Sequence, residues 1–451
     1  MKDKKIAIIG LDGANKTTAK LVGVEAQLHD FISTIPPYTP PAWTSILTGV
    51  NPAKHGIIGW QKVDRMSFKS RLATSRDVKY PRLPEILSSA NMKSVIINLP
   101  MTYPITWADP ENTIVVSDWM APKQTIFPKK LEEQYREFLI DPPHQWWQES
   151  DRDEYADKVK EFTETRLSVY YDLLEKIDWN LYFIVFSETD WFSHWMPQIL
   201  EGKDEHVVKP TFKLIREFIN EVESIADIVF IVSDHGFQKI DKVFYINEAL
   251  AQNGFIRYSG FKFRMANTAK KLIRRSNILA EVLYKLIPKS KISVNSMSYA
   301  ISEAVAMLIE SETWGLYLKN RENIKEVINA LTDYPEIVDV VPSKLIHKGP
   351  LSRYLPDLFV IPAEGVSVSD ELSGTITKQV VKGDHEIKGI FSFRGEGVKE
   401  DILFNKTPRV YDIVPTVLHI FGLPIPSDTD GRILKEIFEE DSELSKKQPI
   451  E

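Results

Sequence analysis

Four short, widely separated stretches of the chain pair aspartate with histidine or glycine: Gly10-Leu11-Asp12-Gly13, Asp190 with His194, Ser233-Asp234-His235-Gly236, and Gly383-Asp384-His385. Carboxylate and imidazole in this mixture are donors for zinc-like dications. A threonine opens the segment Thr39-Pro40-Pro41-Ala42-Trp43-Thr44-Ser45-Ile46-Leu47-Thr48-Gly49. A hydroxyl is a poor nucleophile at neutral pH, and a neighbouring dication lowers its pKa enough to make it a good one. Together these residues predict a metal pair serving attack on phosphorus. An Asp/His pair alone is more often a solvated hydrogen-bonded pair, so the argument rests on what places them.

Asp12, the stretch from Glu188 to His194, and Asp234-His235 each follow an apolar run directly. Strand-type runs fall at residues 5–9, 94–99, 113–117, 181–186, 228–232, 358–361 and 389–393. They are β-branched and lack strict alternation, as strands buried on both faces do. Helical periodicity lies between them at 82–89, 130–139, 154–176, 207–222 and 412–421. This alternation predicts an α/β fold with a mostly parallel central sheet flanked by helices on both faces, where ligands bind beyond the carboxyl ends of the strands. The four-residue spacing of Asp190 and His194 puts both on one face of a helix. Gly236 is expected to permit a sharp exit after Asp234-His235. His55 is expected to stabilise a turn, and His29, His144, His206 and His347 to lie on the surface.

One region breaks the pattern. Between Arg257 and Lys291 there are ten Lys or Arg and one acid, Glu281, with apolar residues at helical spacing. It is followed by strand-like 315–318, a helix near 324–331 and strand-like 338–341. The expected organisation is a discontinuous catalytic core over 1–250 and 350–440, an inserted cap over 251–349, and a charged tail over 441–451. The basic segment 257–291 is a candidate for peripheral contact with an anionic membrane or for guiding an anionic substrate.

The chain has 451 residues, no cysteine and a formal net charge of −7. Thiolate catalysis, thiolate metal sites and disulfides are thereby excluded, and the acidic balance argues against a nucleic-acid partner. Met1–Lys5 leads straight into Ile6–Ile9, too short for a signal-peptide core, so a cytoplasmic location is the default expectation.

The motifs resemble the type I phosphodiesterase/nucleotide pyrophosphatase family of the alkaline phosphatase superfamily. The segment from Thr39 to Gly49, continuing into Pro52 and His55-Gly56-Ile57, is similar to that family's nucleophile segment. Further similarity lies in Asn98-Leu99-Pro100-Met101-Thr102-Tyr103-Pro104, in Asp412-Ile413-Val414-Pro415-Thr416, and from Gly422-Leu423-Pro424 to Asp430-Gly431-Arg432. The resemblance implies an alkaline phosphatase-like core and two metal sites. Asp190, His194 and His385 would hold one ion. Asp12, Asp234 and His235 would hold the other, with the Thr39 hydroxyl as its remaining protein ligand. The ions would be zinc, with manganese fitting the same donors. Thr39 would form a phospho-threonine intermediate during cleavage of a small phosphodiester or nucleotide-type substrate.

Two departures bear on this. Thr39 stands where sulfatases need a Cys or Ser, which disfavours sulfate-ester cleavage. Trp60 stands where many relatives carry an asparagine that binds the phosphoryl oxygen, so the Thr39 backbone N–H becomes a substitute donor. A phosphomonoesterase or phosphotransferase would use the same site, and a non-catalytic metal-binding relative is the alternative outside enzymes.

Overall fold

A computed structural model describes residues 4–24, 27–136, 139–140, 151–258, 301–399 and 402–450. The main sheet has eight strands: β1 (Ile6–Leu11), β2 (His29–Ile32), β3 (Ser94–Ile97), β4 (Thr113–Val116), β5 (Ile126–Phe127), β6 (Leu181–Phe186), β7 (Ile228–Val232) and β8 (Lys388–Gly395). Their order is β2-β8-β7-β1-β6-β3-β4-β5. The central run β7-β1-β6-β3-β4 is parallel, while β8 and β5 are antiparallel to their neighbours. This is the largely parallel, helix-flanked sheet that the apolar runs predict.

Both faces of the sheet are covered, which is why its central strands are apolar throughout. Ala7, Ile9 and Leu11 join a core with the helices Arg152–Lys176 and Glu205–Ile225. Ile6 and Ile8 point the other way, into a core with Thr39–Thr48 and Ile413–Phe421. Complete burial of each such side chain stabilises by about 1.5–3 kcal/mol, and every residue of Thr39–Thr48 is buried. The helix is therefore held by packing on all sides, which fixes where its first residue points.

The chain divides into two compact units. The larger comprises Met1–Ile57, Thr74–Lys239 and Lys382–Glu451, and holds the main sheet. The smaller comprises Ile58–Ala73 and Ile240–Val381, set against an expected insertion of 251–349. Its four-stranded antiparallel sheet runs Ala306–Leu308, Gly315–Leu318, Leu358–Pro362, Ile337–Pro342. The helix Ile324–Thr332 packs Val327 and Leu331 into this unit's own core.

Three expectations need correction or bounding. Leu358–Pro362 is a strand of the smaller unit and pairs antiparallel with Ile337–Pro342. The described part of 130–139 has a 3-10 turn at Lys129–Leu131 followed by turns. His347, expected on the surface, is buried with its ring 5.7 Å from Phe359. The basic segment beyond Tyr258, together with His144, lies outside the described residues.

Candidate metal centre

Three adjacent parallel strands bring the aspartates together. In the order β7-β1-β6, Gly10 is level with Val232 on one side and Val185 on the other, and Leu11 is level with Phe186. The residues beyond these ends are Asp12, Ser233-Asp234-His235 and Ser187. The Asp12 N–H extends the ladder by donating to Phe186 O at 3.0 Å. After β6 the chain turns into the helix Glu188–Trp195, which carries Asp190 and His194 one turn apart on one face, as their spacing predicts. His385 arrives on the strand Thr377–Glu386, just before β8.

The donors converge in two groups, Asp190/His194/His385 and Asp12/Asp190/His235, with ligand atoms in each lying within 4.8 Å of one another. Asp190 belongs to both. Its Oδ1 is 3.7 Å from His194 Nε2 and 3.8 Å from His385 Nε2. His235 Nε2 is 3.8 Å from Asp12 Oδ1 and 3.3 Å from Asp234 Oδ2. The sharing of Asp190 was not foreseen, because spacing along a helix says nothing about which neighbouring strand ends it faces. Asp234 stands beside the second group, its Oδ1 accepting from Gly13 N–H at 3.2 Å.

This donor set fits dications. Asp12 Oδ1 and Asp234 Oδ2 are buried and accept no hydrogen bond, although buried carboxylates normally do. Burial pushes the Asp12 carboxyl up to about 7 and the Asp234 carboxyl well above its ordinary range. Burial also holds His235 down at about 3, His194 at about 4, and His385 well below the usual imidazole range. Neutral imidazoles facing carboxylates that resist ionisation suit a positive ion, which favours the deprotonated form of every one of them. His235 Nδ1 lies 3.0 Å from Gly236 O, so its hydrogen sits on Nδ1 and its lone pair on Nε2, facing the cluster.

Thr39 is the first residue of its helix, and its Oγ1 is 3.2 Å from His235 Nε2. Pro40 and Pro41 occupy the first turn without N–H groups to satisfy, where proline's fixed φ suits a helix start. Ala42 N–H is spent on Tyr38 O, which leaves the Thr39 N–H as the amide nearest its own hydroxyl. The positive end of the helix dipole therefore lies at Thr39. Thr44 and Thr48 return their hydroxyls to Pro40 O and Thr44 O inside the helix. His55 is buried, 3.0 Å from Ser45 Oγ and accepting from Ile57 N–H, the turn-holding role expected of it.

Two features escaped the sequence reading. Phe237 sets its ring 4.7, 5.8 and 5.2 Å from the rings of His194, His235 and His385, an apolar wall behind three donors. The only hint was its place two residues after His235. Tyr38 lies 5.5 Å from the His385 ring. Gly236 acts differently from expectation: it starts a strand, and a Cβ there would fall 2.0 Å from Lys388 O, so close strand approach demands the glycine. Trp191 is buried, its ring against those of Trp119 and Phe162. Trp60 belongs to the smaller unit, where its N–H donates to Glu310.

Comparison with known proteins agrees with this geometry. Residues 13–388 match the type I phosphodiesterase/nucleotide pyrophosphatase family. Phosphonoacetate hydrolase from Sinorhizobium meliloti 1021 shares the fold with a TM-score of 0.60 at 12% identity, over 91% of this chain and 94% of that one. Murine ectonucleotide pyrophosphatase/phosphodiesterase 5 gives 0.57 at 13% identity, over 95% and 98%. A threonine-to-alanine form of that murine protein, described as inactive, is known in complex with AMP. In sequence, 54 residues are 39% identical to a Caenorhabditis elegans homologue of the extracellular sulfatase Sulf-1, spanning 12% of this chain and 8% of that protein. The cytoplasmic expectation is withdrawn, since relatives described as extracellular or as ecto-enzymes stand against it and the first residues carry no weight in deciding compartment. The family match over most of the chain and the two converging donor groups make this protein a member of the type I phosphodiesterase/nucleotide pyrophosphatase family, a metal-dependent hydrolase of the alkaline phosphatase superfamily.

Proposed function

We propose that the chain cleaves phosphodiester or pyrophosphate bonds of a small-molecule substrate, with Thr39 as the nucleophile. The observation that carries this reading is the Thr39 hydroxyl, fixed 3.2 Å from His235 Nε2 at the open end of a fully buried helix. Asp190, His194 and His385 would hold one ion, and Asp12, Asp234 and His235, with Thr39, the other, with Asp190 within reach of both; zinc suits the donors best. When bound, such a pair neutralises the carboxylates, lowers the pKa of a hydroxyl and offsets negative charge on phosphoryl oxygens.

The chain's own contribution is placement. Thr39 Oγ1 gives up its proton and forms a bond to phosphorus as the bond from phosphorus to the leaving oxygen breaks. This gives a phospho-threonine that keeps the substrate's other ester group and an alcohol or phosphate that takes up the proton. Water then cleaves the P–Oγ1 bond, restoring the hydroxyl and releasing the phosphoryl product. The Thr39 N–H and the helix dipole lie where charge gathers on the phosphoryl oxygens. Phe237 presents an apolar edge that limits water around the imidazoles. In the same reading, the smaller unit serves as the insertion that tunes substrate choice. Acid quenching during turnover of bis-p-nitrophenyl phosphate should leave a p-nitrophenylphosphoryl group on the peptide containing Thr39, and on no peptide of a Thr39→Ala variant. Quenched wild-type enzyme that turns over but never carries that group there would overturn the assignment.

A further inference from the structure

The smaller unit contains a cavity of ≈ 540 Å³ whose wall includes five cations, Lys62, Arg65, Lys69, Arg71 and Arg353, against one carboxylate, Asp64. The chain as a whole carries a net charge of −7, so this concentration runs against its overall balance. The Asp64 carboxylate accepts from both the N–H and the hydroxyl of Ser67, at 2.8 and 2.7 Å. Arg65 is an anchor: it pairs with the buried Asp357 at 2.6 Å and donates to the carbonyls of Arg353 and Leu355. That anchor ties the hairpin of Gln61–Val63 and Ser70–Leu72 to the Arg353-Tyr354 turn. The Tyr354 ring receives Lys62 at 5.7 Å and Arg353 at 4.7 Å, and Arg353 also donates to the Tyr354 hydroxyl at 2.8 Å. Lys62 and Arg71 are thus opposite each other on a paired hairpin, and Lys62 and Arg353 sit over an aromatic ring. Arg71 also donates to Leu72 O at 2.9 Å, and all five residues line one concavity.

We propose that this cavity binds a phosphate-bearing anion. Ammonium and guanidinium groups gathered on a fixed scaffold offer several charge-assisted hydrogen bonds at once, the chemistry that holds phosphate. Half-exposed Tyr354 and exposed Met66 add apolar surface to the same wall, suited to the organic body of a phosphate ester. Such an anion could be a soluble phosphate compound or the headgroup of an anionic lipid, and either would use these contacts. The inference is independent of the role of Thr39.

The test uses the full metal-loaded chain and a Lys69→Gln/Arg71→Gln variant, both positions being exposed hairpin sites. Methylenediphosphonate serves as the soluble probe, followed by calorimetry, and phosphatidylglycerol vesicles as the lipid probe, followed by co-sedimentation against phosphatidylcholine vesicles. Turnover of bis-p-nitrophenyl phosphate checks that the larger unit is intact. Roughly tenfold weaker diphosphonate binding in the variant identifies a soluble phosphate ligand, and loss of phosphatidylglycerol pelleting alone identifies a lipid headgroup. Lys69→Arg/Arg71→Lys should restore either. Unchanged binding to both probes, or a loss that the charge-conserving variant fails to restore, overturns the proposal.

Discussion

The two units present opposite electrostatic problems. In the larger, Asp12, Asp190 and Asp234 are packed with three imidazoles in a buried cluster, and burial raises Asp12 and Asp234 against ionisation. In the smaller, five cations line an open concavity with a single acid among them. A buried cluster of carboxylates either keeps protons or takes a cation among them, because unpaired charge out of water is costly. Cations at a protein surface keep part of their hydration and lose little until an anion arrives. The difference separates a buried donor cluster that exchanges protons for a cation from a cationic surface open to an anion.

The largest effect should fall on chemistry in the first region alone. Thr39→Ala should reduce turnover of bis-p-nitrophenyl phosphate on the order of 10³-fold or more, with metal content and fold preserved. Thr39→Ser should retain part of the activity. Steady-state kinetics alongside circular dichroism checks this, and near wild-type turnover by Thr39→Ala would remove Thr39 from the mechanism.

Next in size is a packing effect at the joint between the donor elements. A Cβ on Gly383 would fall 2.1 Å from Ser193 O, on the helix that carries Asp190 and His194. Gly383→Ala should therefore destabilise by about 1–3 kcal/mol and lower metal retention with it. A thermal melt indistinguishable from wild type would show that this approach is looser than described.

pH should separate the regions further. Asp12, with its pKa raised to about 7, holds its proton below that pH, and a bound dication must displace it. Apparent metal affinity should fall about tenfold per pH unit for each proton displaced as pH drops from 7 to 5. The imidazoles of His235 and His194, held at about 3 and about 4, are already neutral there and add nothing. Competition with a fluorescent chelator measures this; an affinity flat down to pH 5 would contradict the assignment of the proton to the carboxylates.

Salt gives the smallest contrast. Screening over a Debye length of about 10 Å at 0.1 M should weaken diphosphonate binding at the exposed cations several-fold and leave metal affinity in the buried cluster nearly unchanged.

The convergence of the candidate donors was partly legible in the sequence because β1, β6 and β7 are buried on both faces. Continuous apolar runs mark such strands, so the aspartate after each run marks a carboxyl end. The four-residue spacing of Asp190 and His194 needed only a helix to follow, and one does. Other features depend on which elements become neighbours. Leu358–Pro362 has the same apolar character as a main-sheet strand, and no local signal says that it pairs with Ile337–Pro342 instead. The assignment of Ile58–Ala73 to the smaller unit is equally non-local, since those residues follow the nucleophile segment directly in the chain. His347 has polar neighbours in sequence, yet tertiary packing buries it against Phe359. The sharing of Asp190 follows from the strand order β7-β1-β6, which spacing cannot encode.

The central claim is a pair of ions held jointly through Asp190, and elemental analysis of purified variants tests it most directly. The wild-type chain should carry two equivalents of divalent metal. Asp190→Asn should lose both, because Asp190 contributes to each donor group, whereas His194→Ala should lose chiefly one. Fewer than one equivalent in the wild type, or an Asp190→Asn variant that keeps both, would contradict the account.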